Sequence, residues 1–264
     1  MASSSPDPSL DPSPVHEPAS ARGAAISAAF PSVSVIIPAV NEGVTIGAAI
    51  ASAWSAGAEE VIVVDGGSQD ETIREARQQG AAVVTTGRGR ALQQNAGAAQ
   101  ARGEVLLFLH ADSRLTPSCL SQIRAALAVH AGPVLGAFHQ TVDAPGWRYR
   151  LLERGNGWRV RLLGLAYGDQ GLFVRRSWFD RVGGFPEVPL LEDLMLSRRA
   201  RSVGPLLLLP GPLITSARRW QRHGVVQQTL RNWSIVARYF LGADPATLRS
   251  SYQSHDHGSG HQEP

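Results

Sequence analysis

No lysine occurs in the 264 residues: all 25 basic side chains are arginine. Chemistry that depends on a lysine amine is therefore excluded. A GK[ST] phosphate loop, a pyridoxal Schiff base and a kinase-type lysine all require one. Cysteine is nearly absent as well. Cys119 alone can build neither a disulfide framework nor a cysteine-based zinc cluster. No stretch reaches the roughly 18 apolar residues that span a bilayer. The nearest, Val203 to Ile214, is interrupted by Pro205, Pro210 and Pro212. The N-terminus lacks a compact apolar segment of the signal-peptide kind, so a cytoplasmic, soluble chain is expected. The net charge of +3 suits an anionic small ligand. It is too small to indicate a nucleic-acid partner, and none is expected.

What is present reads as a globular chain. Apolar residues make up 43% and charged residues 18%, enough to bury a proper core and too little charge for disorder throughout. The exceptions are the ends. Residues 1–30 are rich in Ser, Pro and Ala, with Pro6, Pro8, Pro12, Pro14 and Pro18 and little to bury between them. The segment 250–264 is polar and carries His255, His257 and His261. Both are expected to be disordered tails. Residues 31–249 are expected to form one domain.

Within that domain strands and helices alternate. Val33 to Pro38 is a short β-branched run of the kind that forms a fully buried parallel strand. A helix is expected over 43–55. Glu60 to Asp65 is a second strand. Ser68 and Glu71 have the spacing of a capping box, predicting a helix from there to Gly80. Further strands are expected at 82–86 and 104–109. Helices are expected at 90–102 and after Thr116-Pro117, where Leu120, Ile123 and Leu127 share a face. This βαβαβαβα order predicts a mostly parallel sheet covered by helices on both faces. The second half is less regular. Strands are expected at 134–142, 171–175 and 206–209, and helices at 147–165, 190–201 and 225–241.

Ligands of open parallel sheets bind beyond the carboxyl ends of the strands. Those ends are unusually rich in chemistry here. Strand one runs into Pro38-Ala-Val-Asn41-Glu42, strand two into Asp65-Gly-Gly67-Ser68, and strand four into His110-Ala-Asp112. Gly87-Arg88-Gly-Arg90 precedes the third helix. One Asp before a Gly is usually only a turn. Several acidic strand ends on one sheet edge, with arginines beside them, exceed what turns need. A dinucleotide fold would place G-x-G-x-x-G after strand one, where PAVNEG stands instead.

The segments VSVIIPAVNE, EVIVVDGGSQDET, FLHADSRL, GDQGLFVRR and GGFPE followed by LLEDLMLSRR, taken in order, resemble the family 2 glycosyltransferases of the GT-A fold. GRGRALQQNAGAAQARG resembles a bacterial branch of that family with HAD in place of DxD. The resemblance covers about residues 32–241. It implies an α/β GT-A domain whose residues 31–131 bind the nucleotide and whose residues 132–249 bind the acceptor. It implies an inverting sugar transfer from a nucleotide-diphospho-sugar, with UDP the leading nucleotide, aided by Mn²⁺ or Mg²⁺.

The resemblance also implies roles. Pro38, Asn41, Glu42, Asp65 and Gly67 would line the nucleoside. Asp112 would hold the metal that bridges the diphosphate. Three roles stay open for His110: metal ligand, donor contact or strand cap. Arg88 and Arg90 stand near a helix N-terminus, placed for the diphosphate. Arg219 is expected near the diphosphate and Trp220 near the acceptor, from the likeness of Arg218-Arg219-Trp220 to the family's R-W motif. A transfer to a hydroxyl needs a base on the acceptor side. Asp143 and Glu187 sit beside prolines, Asp180 lies in a polar helix, and Glu153 lies among arginines. Asp169, Glu192 and Asp193 remain, and the likeness of Glu192-Asp193 to the family's ED motif selects Asp193.

Two other functions fit the same pattern less well. A sugar-phosphate nucleotidyltransferase would normally carry a Gly-rich loop after strand one and a lysine. A catalytically idle nucleotide-sugar-binding module would keep the pocket without turnover. One feature outside the motifs bears on partners. Trp147, Leu151, Trp158, Leu162 and Leu165 fall on one helical stripe flanked by Arg150, Arg154 and Arg161. Packing on the core is the favoured reading of that stripe. The alternative is peripheral contact with the inner face of an anionic membrane, with a lipid-like acceptor.

Overall fold

The computed structural model describes residues 30–130, 132 and 135–248. The expected tails, residues 1–30 and 250–264, lie outside that range except for Phe30. The chain forms β1 (Val33–Ala39), α1 (Ile46–Ser55), β2 (Glu60–Asp65), α2 (Thr72–Gln78), β3 (Ala82–Thr85), α3 (Arg90–Gln100), β4 (Val105–Phe108), β5 (Ser113–Leu115) and α4 (Cys119–Val129). It continues with β6 (Leu135–Asp143), α5 (Trp147–Leu163), a 3₁₀ turn (Gly168–Gln170), β7 (Leu172–Arg175) and α6 (Arg176–Arg181). Next come α7 (Glu192–Arg201), β8 (Leu207–Ser216), α8 (Arg218–His223) and α9 (Val225–Phe240).

All eight strands join one sheet in the order β3-β2-β1-β4-β7-β6-β8-β5. The ladders β1–β2, β1–β4, β2–β3 and β6–β8 are parallel. Those of β7 with β4 and β6, and of β5 with β8, are antiparallel. The sheet is thus mixed and mostly parallel. Connections reverse direction across the sheet between β1 and β4, which opens a crevice at their carboxyl ends.

The period of two along β1 divides the core into two layers. Val35 and Ile37 face one layer with Ile46, Ile50, Leu120 and Ile123. Ile36 faces the other with Ile62, Val64, Phe108, Phe179 and Phe185. Each of these side chains is nearly or fully buried, worth about 1.5–3 kcal/mol apiece. Helix α3 can lie close to the sheet because of Gly97. A Cβ there would stand 2.5 Å from Ile36 Cγ2 and 2.8 Å from Val64 Cγ2.

Several sequence expectations are corrected. The Ser68/Glu71 capping box does not form, and the helix starts at Thr72. Ser68 Oγ instead accepts a hydrogen bond from the Asn41 backbone N–H at 2.9 Å, and Thr72 donates to Asp70. The strand expected at 206–209 runs on to Ser216, through Pro210 and Pro212. A register shift of the β6–β8 ladder between Phe138 and Gln140 accommodates that stretch. Elements β5 and α8 are additions to the expected list, and α6 is the short helix expected around Asp180. Finally, the Trp147 stripe does not pack on the core. Trp147, Leu151, Trp158 and Leu162 are 61–71% exposed, and only Leu165 is buried. Helix α5 buries Gly157 and Val160 instead. Among the described residues, no helix is long and apolar enough to cross a membrane.

Candidate functional site

Parallel register carries β1, β2 and β4 to one edge: Ala39 is level with Asp65, and Ile36 with Phe108. The loops that follow them form the floor of a cavity of about 330 Å³. Pro38, Glu42, Arg88, Arg90, His110, Asp112, Glu192 and Arg219 line it, together with Arg218 and Gln93. Eight of the expected site residues are therefore brought together around one space.

The others stand behind it. Asp65 is fully buried. Its Oδ2 accepts backbone N–H bonds from Gly67 at 2.8 Å and Ser68 at 3.0 Å, while its buried Oδ1 has no protein partner. Asn41, in a left-handed conformation (φ 54°), accepts from the Gln69 N–H at 2.8 Å and pins the β1 loop to the β2 loop. Gly67, at φ 92°, has open space where a Cβ would point. Trp220 is buried with Val142 and Ala217, away from the lining.

Charges inside the cavity are arranged in opposition. Arg218 Nη2 donates to both oxygens of Glu42 at 3.1 and 3.0 Å, and lies 4.0 Å from Asp112 Oδ2. Arg90 Nη1 is 3.4 Å from the buried Glu192 Oε1. Burial pushes the Glu192 carboxyl above its ordinary range, against the pull of Arg90 and with a further push from Asp193. Burial likewise raises Asp112, opposed by Arg219 and Arg218 and reinforced by Glu42. His110 is held well below the ordinary imidazole range, first by burial and then by Arg90 and Arg219. It is therefore neutral at physiological pH, and its buried Nε2 has no protein partner.

Asp193 and Asp169 meet at the 3₁₀ turn, away from the cavity lining. Asp193 Oδ2 accepts the Gly168 N–H at 2.7 Å, and Oδ1 accepts the Leu194 N–H at 2.7 Å. A carboxylate has about four acceptor sites, so lone pairs remain on both oxygens. Gly168 sits between Asp193 and His110: a Cβ on it would be 3.4 Å from Asp193 Oδ2 and 2.9 Å from His110 Nε2. Asp169 is half-buried, with Oδ2 near Gln140 Nε2 at 3.3 Å and Oδ1 unpartnered. Within the ED pair, Glu192 faces the cavity while Asp193 braces the 3₁₀ turn.

Sequence reasoning assigned no role to Gln93 or to Arg218. Gln93 Nε2 donates to Ala39 O at 2.9 Å and Val64 O at 2.8 Å, tying the ends of β1 and β2 together. Its polar amide in an otherwise Ala-rich inward face was the available signal. Arg218 could have been found by asking which cation answers Glu42 and Asp112.

Residues 34–183 match the family model described as Glycosyl transferase family 2. The chain belongs to this family. Its similarity to a probable glycosyltransferase, YdaM of Bacillus subtilis, is 26% identity over 203 residues, covering 66% of this chain and 48% of the relative. The chain thus spans about half the length of that curated relative. Among solved structures, Staphylococcus aureus TarS 1–349 superposes with a TM-score of 0.55 at 20% identity, covering 70% of this chain and 60% of that one. Glucosyl-3-phosphoglycerate synthase from Mycobacterium tuberculosis, solved with Mn²⁺, UDP and glucosyl-3-phosphoglycerate, superposes with a TM-score of 0.53 at 21% identity, covering 76% of each chain. The family 2 membership and these likenesses make the fold GT-A.

Proposed function

We propose that this family 2 protein transfers a sugar from a nucleotide-diphospho-sugar, with UDP as the nucleotide, to an acceptor hydroxyl with inversion. The observation that carries the reading is the cavity at the β1/β4 crevice, where Glu42, Asp112 and four arginines converge. Two negative phosphates need such cations, and a nucleoside needs buried acceptors of the Asp65 kind. Two structural neighbours support the choice of nucleotide: one is solved with UDP and Mn²⁺, another with UDP-GlcNAc.

The residues fit a divalent cation. Among the described residues no group of three or more His, Cys, Asp or Glu could enclose one. Mg²⁺ and Mn²⁺ bound with phosphates need only one or two protein ligands. Asp112 supplies a carboxylate at the cavity wall, and the unpartnered Nε2 of His110 is the second candidate. Such an ion, when bound, neutralises charge on the departing diphosphate. The chain's own contribution is separate. Arg88, Arg90, Arg218 and Arg219 attract and orient the diphosphate, which competes with Glu42 for Arg218. Asp65 Oδ1 accepts from the nucleoside. Glu192 holds Arg90 and the loop before α7 in place. Asp193 takes the acceptor proton as the new bond forms, from a carboxylate kept in position by two backbone N–H groups. Asp169, in the 3₁₀ turn that Asp193 braces, is the alternative base. In this reading residues 31–131 form the donor half, and 132–249 the acceptor half, of a single domain.

The test is a panel of nucleotide-sugars incubated with the protein, with the released products resolved. Release of nucleoside diphosphate from at least one donor is the expected outcome. Release of pyrophosphate from a nucleoside triphosphate and a sugar phosphate would make the protein a nucleotidyltransferase. Tight UDP-sugar binding with no turnover on any donor would make it a binding module.

A further inference from the structure

The apolar side chains of α5 and α9 are placed where core packing cannot use them. On α5, Trp147, Leu151, Trp158 and Leu162 recur at helical spacing on the face opposite Val160 and Gly157, which are buried. On α9, Val226, Leu230, Trp233 and Phe240 recur in the same way, opposite the buried Gln228 and Ile235, and are 52–69% exposed. The C-terminal ends of the two helices come together. Leu163 and Phe240 line one cavity of about 510 Å³, with Arg198 and Arg201 in its wall. Soluble surfaces rarely expose so many large apolar side chains together without a partner.

Charge identifies the partner. Arg148, Arg154 and Arg161 on α5 and Arg238 on α9 are exposed on the same two helices. Helix α9 carries no acidic residue. The one carboxylate of α5, Glu153, turns inward, accepts the Val142 N–H at 2.6 Å and pairs with Arg150 at 2.9 Å. Arg148 lies over the Trp147 ring and Arg198 over Phe240. Large aromatic rings flanked by cations, with no balancing acid, match the boundary layer of an anionic bilayer. A second copy docking face to face would set arginine against arginine.

We propose that the outward faces of α5 and α9 form one docking surface for an anionic lipid bilayer. The contact is peripheral: rings and leucines enter the acyl boundary, and arginines remain among the phosphates. It is independent of the donor chemistry proposed above, since none of these side chains lines the donor cavity.

The experiment is co-sedimentation of the full chain with phosphatidylcholine vesicles and with equimolar phosphatidylcholine/phosphatidylglycerol vesicles. Binding to the anionic vesicles at least about tenfold stronger is expected, weakening as salt screens the arginines. Trp158→Gln and Trp233→Gln should each lower that binding at least about fivefold, with donor binding and far-ultraviolet circular dichroism unchanged. Should either fail to fold, Arg154→Glu and Arg238→Glu give the same reading, lowering binding to the anionic vesicles alone. A full chain that stays in the supernatant with both vesicle types overturns the proposal. So do folded variants that bind as wild type does. Self-association that the Gln variants abolish, without vesicle binding, would assign the face to a second copy and equally overturn it.

Discussion

The carboxyl edge of β1, β2 and β4 and the outer faces of α5 and α9 treat hydrophobicity in opposite ways. At the strand edge, apolar residues are buried and polar ones gather at the ends: Ile36 and Ile37 vanish into two core layers while Glu42 and Asp112 emerge at the cavity. On α5 and α9 the tryptophans and most leucines face outward, and the inward faces bury little: Gly157 and Val160 on one, Gln228 and Ile235 on the other. The first region is a folding core that ends in the proposed reaction site. The second is left exposed by the described fold, and the proposed bilayer contact would use it.

Substitutions can break or sharpen this contrast. The largest effect is expected at the acceptor side of the strand edge. Asp193→Asn removes basicity while keeping size, and should cut sugar transfer by at least about 10²-fold with donor affinity near wild type. If transfer persists while Asp169→Asn is inactive, the base is Asp169. Next is the nucleoside contact: Asp65→Ala should weaken UDP and UDP-sugar alike, by about 1.5–3 kcal/mol in calorimetric titration. Unchanged UDP affinity would leave Asp65 only its bonds to Gly67 and Ser68. A comparable cost, but in stability, is expected from Gly97→Ala. The new methyl would meet Ile36 and Val64 within van der Waals distance, and chemical denaturation should show a loss of about 1–3 kcal/mol. The smallest effect belongs to the other region. Trp158→Gln, on the exposed stripe, should change unfolding free energy by no more than about 0.5 kcal/mol. A loss of core-like size there would erase the distinction.

The same contrast decides what the sequence could reveal. VSVIIPA and EVIVVD are legible as strands because β-branched runs between polar ends have one favourable use in an α/β chain. The acidic strand ends follow from them, since parallel strands deliver their carboxyl ends to one edge. Tertiary competition defeated the capping box, because Ser68 satisfies the Asn41 N–H rather than its own helix. Proline punctuation hid the length of β8, whose irregular ladder tolerates Pro210 and Pro212. Periodicity found the α5 stripe but misjudged which side it faces: core packing was favoured, and Trp147, Leu151, Trp158 and Leu162 face outward. That depends on what packs against Val160, a fact only the fold contains. Arg218 escaped notice for a similar reason: its partner Glu42 lies 176 positions away.

The central claim is that the β1/β4 cavity holds a nucleoside diphosphate with a divalent cation on Asp112. Calorimetric titration of UDP into the wild-type protein and Asp112→Ala, with and without Mn²⁺, tests it most directly. The account predicts that Mn²⁺ tightens UDP binding to the wild type by at least about tenfold, or 1.4 kcal/mol. Asp112→Ala should keep the fold and lose that increment, with His110→Ala losing less. Equal Mn²⁺-dependent affinity in wild type and Asp112→Ala would contradict the assignment.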